Sequence, residues 1–127
     1  MSTPEELRYT EEHEWIAISG GGQVRVGITE YAQDQLGDVV FVDLPEVGKR
    51  VGSGDVFGEV ESTKSVSELF TPLDGEIVAV NNAVAESPEL INSDPYGEGW
   101  LIDIRLDDPS SIDSLLEAEA YQALIKE

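Results

Sequence analysis

The feature that most constrains the fold is a run of short β-prone segments between Asp38 and Val80. The segments read VVFVDL, DVFGEVE, SVSELF and GEIVAV, and they are separated by PEVGKRVGSG, STK and TPLDG. Proline, glycine and aspartate in such connections are typical of turns. Connections this short favour β-hairpins over βαβ units. The pattern therefore predicts a small, mainly β sandwich.

Two further strands and a helix are predicted upstream of this run. HEWIAISGGGQVRVGIT reads as a hairpin that turns at Gly20–Gly22, because glycine adopts positive φ freely. Its second strand alternates apolar and polar residues, as a half-buried strand does. TEYAQDQLG predicts a short helix with Thr29 as N-cap and Gly37 as a left-handed exit. Ala32 and Leu36, four residues apart, would face the core.

The C-terminal part predicts three more elements. SPELIN reads as a short helical turn with Pro88 near its first position. WLIDIRL reads as a strand that places four apolar residues on one face: Trp100, Ile102, Ile104 and Leu106. From about Ser110 the pattern predicts an amphipathic helix, in which Ser110 and Asp113 resemble a capping box. Its apolar stripe would consist of Ile112, Leu115, Leu116, Ala120, Ala123 and Leu124.

Length and composition predict one folded domain over residues 1–127, since 40% of the 127 residues are hydrophobic. No linker or low-complexity tract divides the sequence. No apolar run approaches the roughly 20 residues that span a bilayer. The first ten residues, MSTPEELRYT, lack the apolar region of a signal peptide. We therefore expect a soluble protein that is not exported.

The charge is strongly acidic. The chain has 27 Asp and Glu against seven Lys and Arg, a formal net charge of -20. This excludes the positive surface expected of a nucleic-acid-binding protein and disfavours binding to anionic membranes. It suits basic protein partners, while a solubility device or an adaptation to high salt is an equal alternative.

The absence of cysteine excludes disulfides, thiolate nucleophiles and thiolate metal sites. His13 is the only histidine, so a Ser-His-Asp triad would have one candidate base. A zinc site with several histidine ligands is excluded. Any redox or thioester chemistry would have to come from an attached cofactor.

Lys64 stands out among the three lysines because it falls at the apex of the hairpin predicted for DVFGEVE and SVSELF. A type I turn tolerates Thr63 and Lys64 without glycine, and it leaves the amine in water. Lys49 lies beside Arg50 in a predicted loop, and Lys126 lies at a helix end that favours positive charge. Lys64 is either a charge that balances the nearby glutamates or a lysine presented to a modifying enzyme.

The sequence resembles the glycine cleavage system H-protein family over nearly its whole length. The resemblance lies in VESTKSVSEL around Lys64, HEW at 13–15, GITEYAQDQLGDVVFVDLPEVG at 27–48, PELINSDPYGEGW at 88–100, and EAEAY in the last helix. It implies a lipoyl-domain-like β-sandwich, or barrel-sandwich hybrid, with short flanking helices and a C-terminal helix. It also implies that Lys64 carries lipoic acid as N6-lipoyl-lysine.

The same resemblance implies a non-catalytic, monomeric carrier. Its arm would take the aminomethyl group of glycine from a pyridoxal-phosphate glycine decarboxylase to a tetrahydrofolate-dependent aminomethyltransferase, and a flavin dihydrolipoamide dehydrogenase would reoxidise the arm. A lipoate ligase or a lipoyl or octanoyl transferase would attach it. The compartment implied is the cytoplasm of a prokaryote, or the mitochondrial matrix of a eukaryote after removal of a transit peptide.

The resemblance also assigns roles to single residues. Glu61 and Gly75 match positions that lipoylating enzymes read, and Glu14 matches a cleft acid that meets the loaded arm. Alternative roles for these three are a solvated strand carboxylate, a turn glycine and an exposed strand charge. His13 is expected to be structural, and Trp15 and Trp100 are expected in the core or in the cleft wall.

Other readings of the Lys64 motif are weaker or stay open. A biotin carrier has its lysine between methionines, whereas Met1 is the only methionine here. A 2-oxoacid dehydrogenase lipoyl domain belongs to a longer chain, and a Schiff-base lysine needs a lowered pKa that neighbouring glutamates oppose. An H-like carrier in lipoate relay or sulfur metabolism and a cofactor-free acidic binding module stay as alternatives.

Overall fold

The structure, a computed structural model, describes residues 3–125 and consists mainly of short strands. The strands are β1 Arg8–Tyr9, β2 Glu14–Gly20, β3 Gln23–Ile28, β4 Val39–Asp43, β5 Arg50–Val51, β6 Val56–Ser62, β7 Val66–Phe70, β8 Gly75–Val80, β9 Ile102–Leu106 and β10 Leu116–Glu117. The helices are α1 Glu30–Leu36, α2 Asn82–Glu86, α3 Leu90–Ser93 and α4 Ala118–Ile125, with a 3₁₀ helix at Pro109–Ser114. Within residues 3–125 no helix is long and apolar enough to cross a membrane.

The strands form two sheets in which every paired neighbour is antiparallel. The larger sheet has the order β10-β1-β2-β3-β9-β8-β5, and the smaller sheet has the order β4-β6-β7. The β2–β3 and β6–β7 pairs are hairpins between consecutive strands. This arrangement confirms the predicted mainly β sandwich with hairpin connections.

The main core lies between the two sheets. It is built from alternate residues of the strands, so that Ile16 of β2 points inward while Trp15 points to the opposite face. The smaller sheet contributes Val42, Val60 and Leu69, which are buried. Burial of apolar area at roughly 25 cal/mol per Å² is the main force that holds the sheets together.

A second apolar cluster covers the other face of the larger sheet. Its buried members are Leu7, Tyr9, Trp15, Ala118 and Tyr121. The Tyr9 and Tyr121 rings stack with centroids 4.7 Å apart and planes inclined by 10°. Helix α4 is thereby fixed on the sheet through an aromatic pair rather than through a continuous apolar stripe.

The N-terminal predictions are confirmed. Gly20, Gly21 and Gly22 all have positive φ, and they turn the chain from β2 into β3. The Thr29 side chain caps α1 by accepting a hydrogen bond from Ala32 N at 3.2 Å. Gly37 ends the helix with φ 81° and ψ −159°, so its φ is left-handed while its ψ lies outside the αL region.

The C-terminal prediction is wrong in its start and its stripe. The 3₁₀ helix is capped by Asp108, which accepts from Ser110 N at 3.0 Å, and no single helix runs on from Ser110. Strand β10 interrupts it because Leu116 pairs with Tyr9 of β1. Helix α4 then starts at Ala118 and buries Ala118 and Tyr121, while four predicted stripe positions are exposed or only half-buried: Leu115, Leu116, Ala120 and Ala123. A fifth, Leu124, is 46% exposed.

Several smaller features of the structure also differ from the sequence-based predictions. Trp100 lies before the start of β9, and the Arg25 guanidinium stacks 3.9 Å from the centre of the Trp100 ring. Trp100 therefore does not share the buried face of β9 as predicted. The predicted turn in SPELIN is helical over Leu90–Ser93, one turn later than expected. Helix α2 and the two-residue strands β1, β5 and β10 were not predicted. Lys126 lies outside the described residues.

Gly75 begins β8 and is buried against β9. A Cβ atom at this position would lie 2.2 Å from the carbonyl oxygen of Arg105 and 2.6 Å from Cγ2 of Ile104. A backbone oxygen cannot move away as the end of a flexible side chain can. The sheet therefore requires glycine here for close packing, and Gly75 presents no side chain to a modifying enzyme.

We predict that Gly75→Ala lowers the free energy of unfolding by about 3 kcal/mol, because overpacking against backbone forces the strands apart. The measurement is urea unfolding. Gly52→Ala is the matched control, since the nearest atoms to its Cβ would be the Asp55 and Asp74 carboxylates at 3.3 and 3.6 Å. The control should stay within about 1 kcal/mol of the parent chain. Equal stability of the two variants would contradict the packing role of Gly75.

Candidate functional site

Lys64 lies at the tip of the β6–β7 hairpin. Glu61 and Val66 form the last residue pair between the strands, and residues 62–65 make the turn. Ser62 N donates to Ser65 O at 2.8 Å and closes the hairpin. The side chain of Lys64 is exposed. The structure thus confirms that this lysine lies on a tight turn at the surface.

The turn is held by hydrogen bonds rather than by glycine. The Ser62 hydroxyl oxygen accepts from the backbone N–H groups of Lys64 and Ser65, each at 3.1 Å. Thr63 N donates to Asp38 O at 3.0 Å and ties the tip to the chain after α1. Neither Thr63 nor Lys64 has a positive φ. The serine hydroxyl takes the role of a backbone carbonyl in this turn, which is why no glycine is needed.

The Lys64 side chain lies against the end of α1. An added Cβ at Gly37 would be 2.9 Å from Cε of Lys64 and 3.7 Å from Nζ. Because glycine has a hydrogen atom in place of Cβ, there is room here for the Lys64 side chain. Gly37 both ends the helix, through its positive φ, and leaves room for the Lys64 side chain beside that end.

A cleft of about 480 Å³ opens next to this passage, between α1 and β7. Its lining combines apolar side chains with carboxylates and hydroxyls. The lining residues are Glu12, His13, Glu14, Ile28, Tyr31, Ala32, Gln35, Leu36, Ser65, Val66, Ser67, Glu68 and Leu69. An extended alkyl chain that starts at the hairpin tip would meet apolar walls, and a cation at its end would meet acidic groups.

Glu14 is the buried acid of this cleft, with only 2% of its surface exposed. Its Oε2 accepts from Phe70 N at 2.9 Å, and its Oε1 accepts from the Thr10 hydroxyl at 3.2 Å. Burial raises the pKa of the Glu14 carboxyl from 4.5 to about 8, and the two hydrogen bonds oppose this rise only in part. Burial therefore favours the protonated form of Glu14, and a cation in the cleft would favour the carboxylate.

His13 determines the course of the chain into Glu14. It has a φ of 67°, which is uncommon for a residue other than glycine. Its N–H donates to Thr10 O at 3.1 Å, and its carbonyl accepts from Thr29 N at 3.0 Å. Burial lowers the pKa of its imidazole, with Glu12 opposing. These bonds agree with the structural role predicted for His13, whose side chain also lines the cleft.

The hydroxyl of Tyr121 connects the C-terminal helix to the cleft. It lies 3.0 Å from Nδ1 of His13 and 2.7 Å from Oγ1 of Thr29, the N-cap of α1. Sequence reasoning missed Tyr121, because a helix beginning near Ser110 places the apolar stripe on different residues. A stripe counted from Ala118 includes Tyr121 three residues later.

The remaining predicted site residues lie apart from the cleft. Glu61 is exposed on the outer face of the smaller sheet, between Phe41 and Val66 on the neighbouring strands. Trp15 is buried in the second apolar cluster, where its Nε1 donates to Pro95 O at 2.8 Å. Trp100 packs on the same cluster. Both tryptophans thus belong to packing on the far face of the larger sheet and not to the cleft wall.

Comparison with known proteins adds an independent line of observation. The family model for the glycine cleavage H-protein matches residues 7–127. The chain belongs to this family. It is 58% identical to the glycine cleavage system H protein of Mycolicibacterium smegmatis, a match that covers 98% of this chain and 97% of that protein. It is 56% identical to that of Aeromonas salmonicida, covering 98% of this chain and 96% of that protein.

The solved structures agree with the family match. The chain is similar to the crystal structure of a glycine cleavage system H protein from Mycobacterium marinum, with a TM-score of 0.86 and 48% sequence identity. The match covers 94% of this chain and 96% of that chain. The fold expected for the family is confirmed, and members of the family are carriers rather than catalysts.

We predict that the Glu14 carboxyl makes stability fall as pH rises from about 4.5 to about 8. Between these values the folded chain keeps a proton that the unfolded chain has lost, so raising the pH favours unfolding. At about 1.4 kcal/mol per unit of pKa difference, the contribution is on the order of several kcal/mol. Urea unfolding across this pH range measures it.

Glu14→Gln isolates this contribution from those of the other carboxylates. Glutamine resembles the neutral acid and can still accept from Phe70 N, so the variant should lose less stability than the parent chain between pH 5 and pH 8.5. Glu11→Gln is the control, because Glu11 is exposed. Parallel pH profiles for the parent and the Glu14 variant would show that Glu14 ionises freely in the folded state.

Proposed function

We propose that Lys64 carries a lipoyl group in amide linkage and that the cleft between α1 and β7 shelters the resulting arm. The family supplies the carrier role in the glycine cleavage system. The observation that carries the residue assignment is the Lys64 stem, which lies against Gly37. The chain neighbours of these two residues, Ser65 and Leu36, line the cleft. By contrast, Lys49, the other lysine in the described part of the chain, lies in the loop before β5, and neither of its chain neighbours lines the cleft.

The residues present fit such a group. Gly37 leaves room for the root of the arm, and the apolar side chains of Ile28, Ala32 and Leu36 line the cleft beyond it. Each methylene that they bury contributes roughly 0.8 kcal/mol. When bound, the group supplies a disulfide that can be reduced and can carry the aminomethyl group of glycine. The chain itself has no cysteine that could exchange with that disulfide.

Glu14 provides the polar contact for the cargo. A cationic amine that enters the cleft lowers the pKa of the buried carboxyl, so the protonated form of Glu14 releases its proton to water and the carboxylate pairs with the cation. A charge-assisted hydrogen bond of this kind is worth about 1.5–3 kcal/mol. The backbone N–H of Phe70 and the Thr10 hydroxyl hold the carboxylate in place.

The partners follow from this role. They are the decarboxylase, the aminomethyltransferase, the dihydrolipoamide dehydrogenase and the enzyme that attaches the arm. An exposed hairpin tip allows each enzyme to reach Lys64 without unfolding the chain. The net charge of -20 favours encounter with basic surfaces. For recognition by the attaching enzyme we propose direct contact with Glu61, while Gly75 contributes through the packing of β8 on β9.

We predict that Lys64 is the single site of lipoylation. Peptide mapping of the chain after expression with an active lipoate ligase should find one lipoyl amide, on the fragment that contains Lys64. Lys64→Arg should fold normally and carry nothing, because arginine keeps the charge but is not acylated. Modification at Lys49 or Lys126, or an unmodified intact mass for the parent chain, would overturn the assignment.

We predict that Glu14→Gln shortens the lifetime of the cargo on the carrier. Glutamine cannot take a negative charge, so the ammonium of the cargo loses its ion pair, and we expect spontaneous loss to be about tenfold faster or more. The rate is measured on purified loaded carrier without the partner enzymes. Glu11→Gln is again the control. Equal rates for Glu14→Gln and the control would remove Glu14 from this role.

A further inference from the structure

The outer face of the smaller sheet carries exposed apolar residues close to Lys64. Phe41, Glu61 and Val66 pair across β4, β6 and β7, and this is the last row that spans all three strands before the hairpin tip. Phe41 is 52% exposed and Val66 is 58% exposed. Val40, the residue before Phe41 on β4, is also exposed. An apolar surface around Glu61 therefore adjoins the lysine.

The next exposed row on this face consists only of carboxylates. Asp43, Glu59 and Glu68 pair across the three strands, and all are exposed. Like charges on directly opposite residues of neighbouring strands destabilise a sheet. Within residues 3–125 none of the three forms a salt bridge. Together the two rows form one surface, the hairpin face, which consists of Phe41, Asp43, Glu59, Glu61, Val66 and Glu68.

The basic residues are distributed in the opposite way. Strands of the larger sheet contain Arg8, Arg25, Arg50 and Arg105, whereas β4, β6 and β7 contain no lysine or arginine. The arginine–carboxylate pairs in the described part of the chain join Arg25 to Asp103, Arg50 to Asp107 and Arg105 to Glu76, all on or next to the larger sheet. Among the described residues, no arginine therefore neutralises the carboxylates of the hairpin face, whereas arginines pair with carboxylates on and next to the larger sheet.

We propose that the hairpin face is the surface by which the enzyme that acylates Lys64 holds this chain. The inference rests on the proposed lipoylation of Lys64. That enzyme acts before any arm exists, so it must bring its catalytic centre within one lysine side chain of the turn. The surface that it contacts therefore has to include residues directly beside the tip, and the hairpin face fulfils this condition.

The face also indicates the chemistry of the partner surface. An apolar recess beside the catalytic centre would receive Phe41, which is the kind of large aromatic side chain that dominates interface energies. Arginine or lysine residues further along would meet Asp43, Glu59 and Glu68. Such pairing relieves the like-charge repulsion within the row, and it makes binding sensitive to salt.

The test compares variants of the unmodified chain as substrates and as ligands of a lipoate ligase. Phe41→Ser removes the apolar contact, and the double variant Asp43→Asn/Glu59→Gln removes two charges. Neither set lines the cleft. Val66 and Glu68 are left unchanged because they also line it. Circular dichroism and urea unfolding verify that each variant folds.

We expect Phe41→Ser to raise KM for acylation and Kd for the ligase about tenfold, with kcat nearly unchanged. Phe41→Leu, which keeps an apolar side chain, should retain most of the affinity. The charge variant should raise KM at low salt and make KM less dependent on salt than in the parent chain. Ile18→Ser on the larger sheet and Glu86→Gln/Glu89→Gln near α2 and α3 are the matched controls, and they should leave KM and Kd unchanged.

Values of KM and Kd for the hairpin-face variants that equal those of the controls would overturn the proposal. So would a large fall in kcat without a change in Kd, because it would place Phe41 in the chemistry rather than in docking. Failure of the proposed function is recognised separately, since the parent chain would then gain no lipoyl mass at Lys64. In that case the Kd values of the ligase for the parent chain, the hairpin-face variants and the controls, measured by calorimetry, still test the surface.

Discussion

The hydrogen bond from Phe70 N to the buried carboxyl of Glu14, 2.9 Å long, joins the two sheets at the cleft. Glu14 opens β2 of the larger sheet, and Phe70 closes β7 of the smaller one. Loss of the Glu14 carboxyl would leave the Phe70 N–H without its hydrogen-bond acceptor near the core. An unsatisfied donor of this kind costs about 1–3 kcal/mol. The bond therefore ties Glu14, which lines the cleft, to the last residue of β7, the strand that forms one wall.

The other wall depends on a second connection. Helix α1 has seven residues, too few to be stable alone, so its position comes from its contacts. The Thr29 hydroxyl caps the helix and also meets Tyr121, which in turn meets His13 beside Glu14. The positive φ of His13 is an unfavourable backbone conformation, and this network of hydrogen bonds holds the residue in it. Both walls of the cleft are thus held by groups that converge on two consecutive residues, His13 and Glu14.

Sequence reasoning succeeded where the determinants are local. Strand alternation, the Gly20–Gly22 turn and the Thr29 cap depend on residues a few positions apart, and all are observed. It failed where a distant partner decides, as in the two-residue strand β10, which exists because it pairs with β1. The burial of Glu14 is an intermediate case. Its alternation with Ile16 places it on the core face, yet nothing local shows that Phe70 N would meet it.

Charge acts on two scales in this chain. The net charge of -20 favours approach of basic partners in general, but at physiological ionic strength screening limits exposed charges to about 8 Å. Only groups in near contact therefore experience the carboxylate row of Asp43, Glu59 and Glu68. Arginines neutralise acids on and next to the larger sheet, so the contrast between the two faces is present in the folded chain before any partner arrives. Since lipoylation would remove the positive charge of Lys64, that contrast would be greater in the modified carrier than in its precursor.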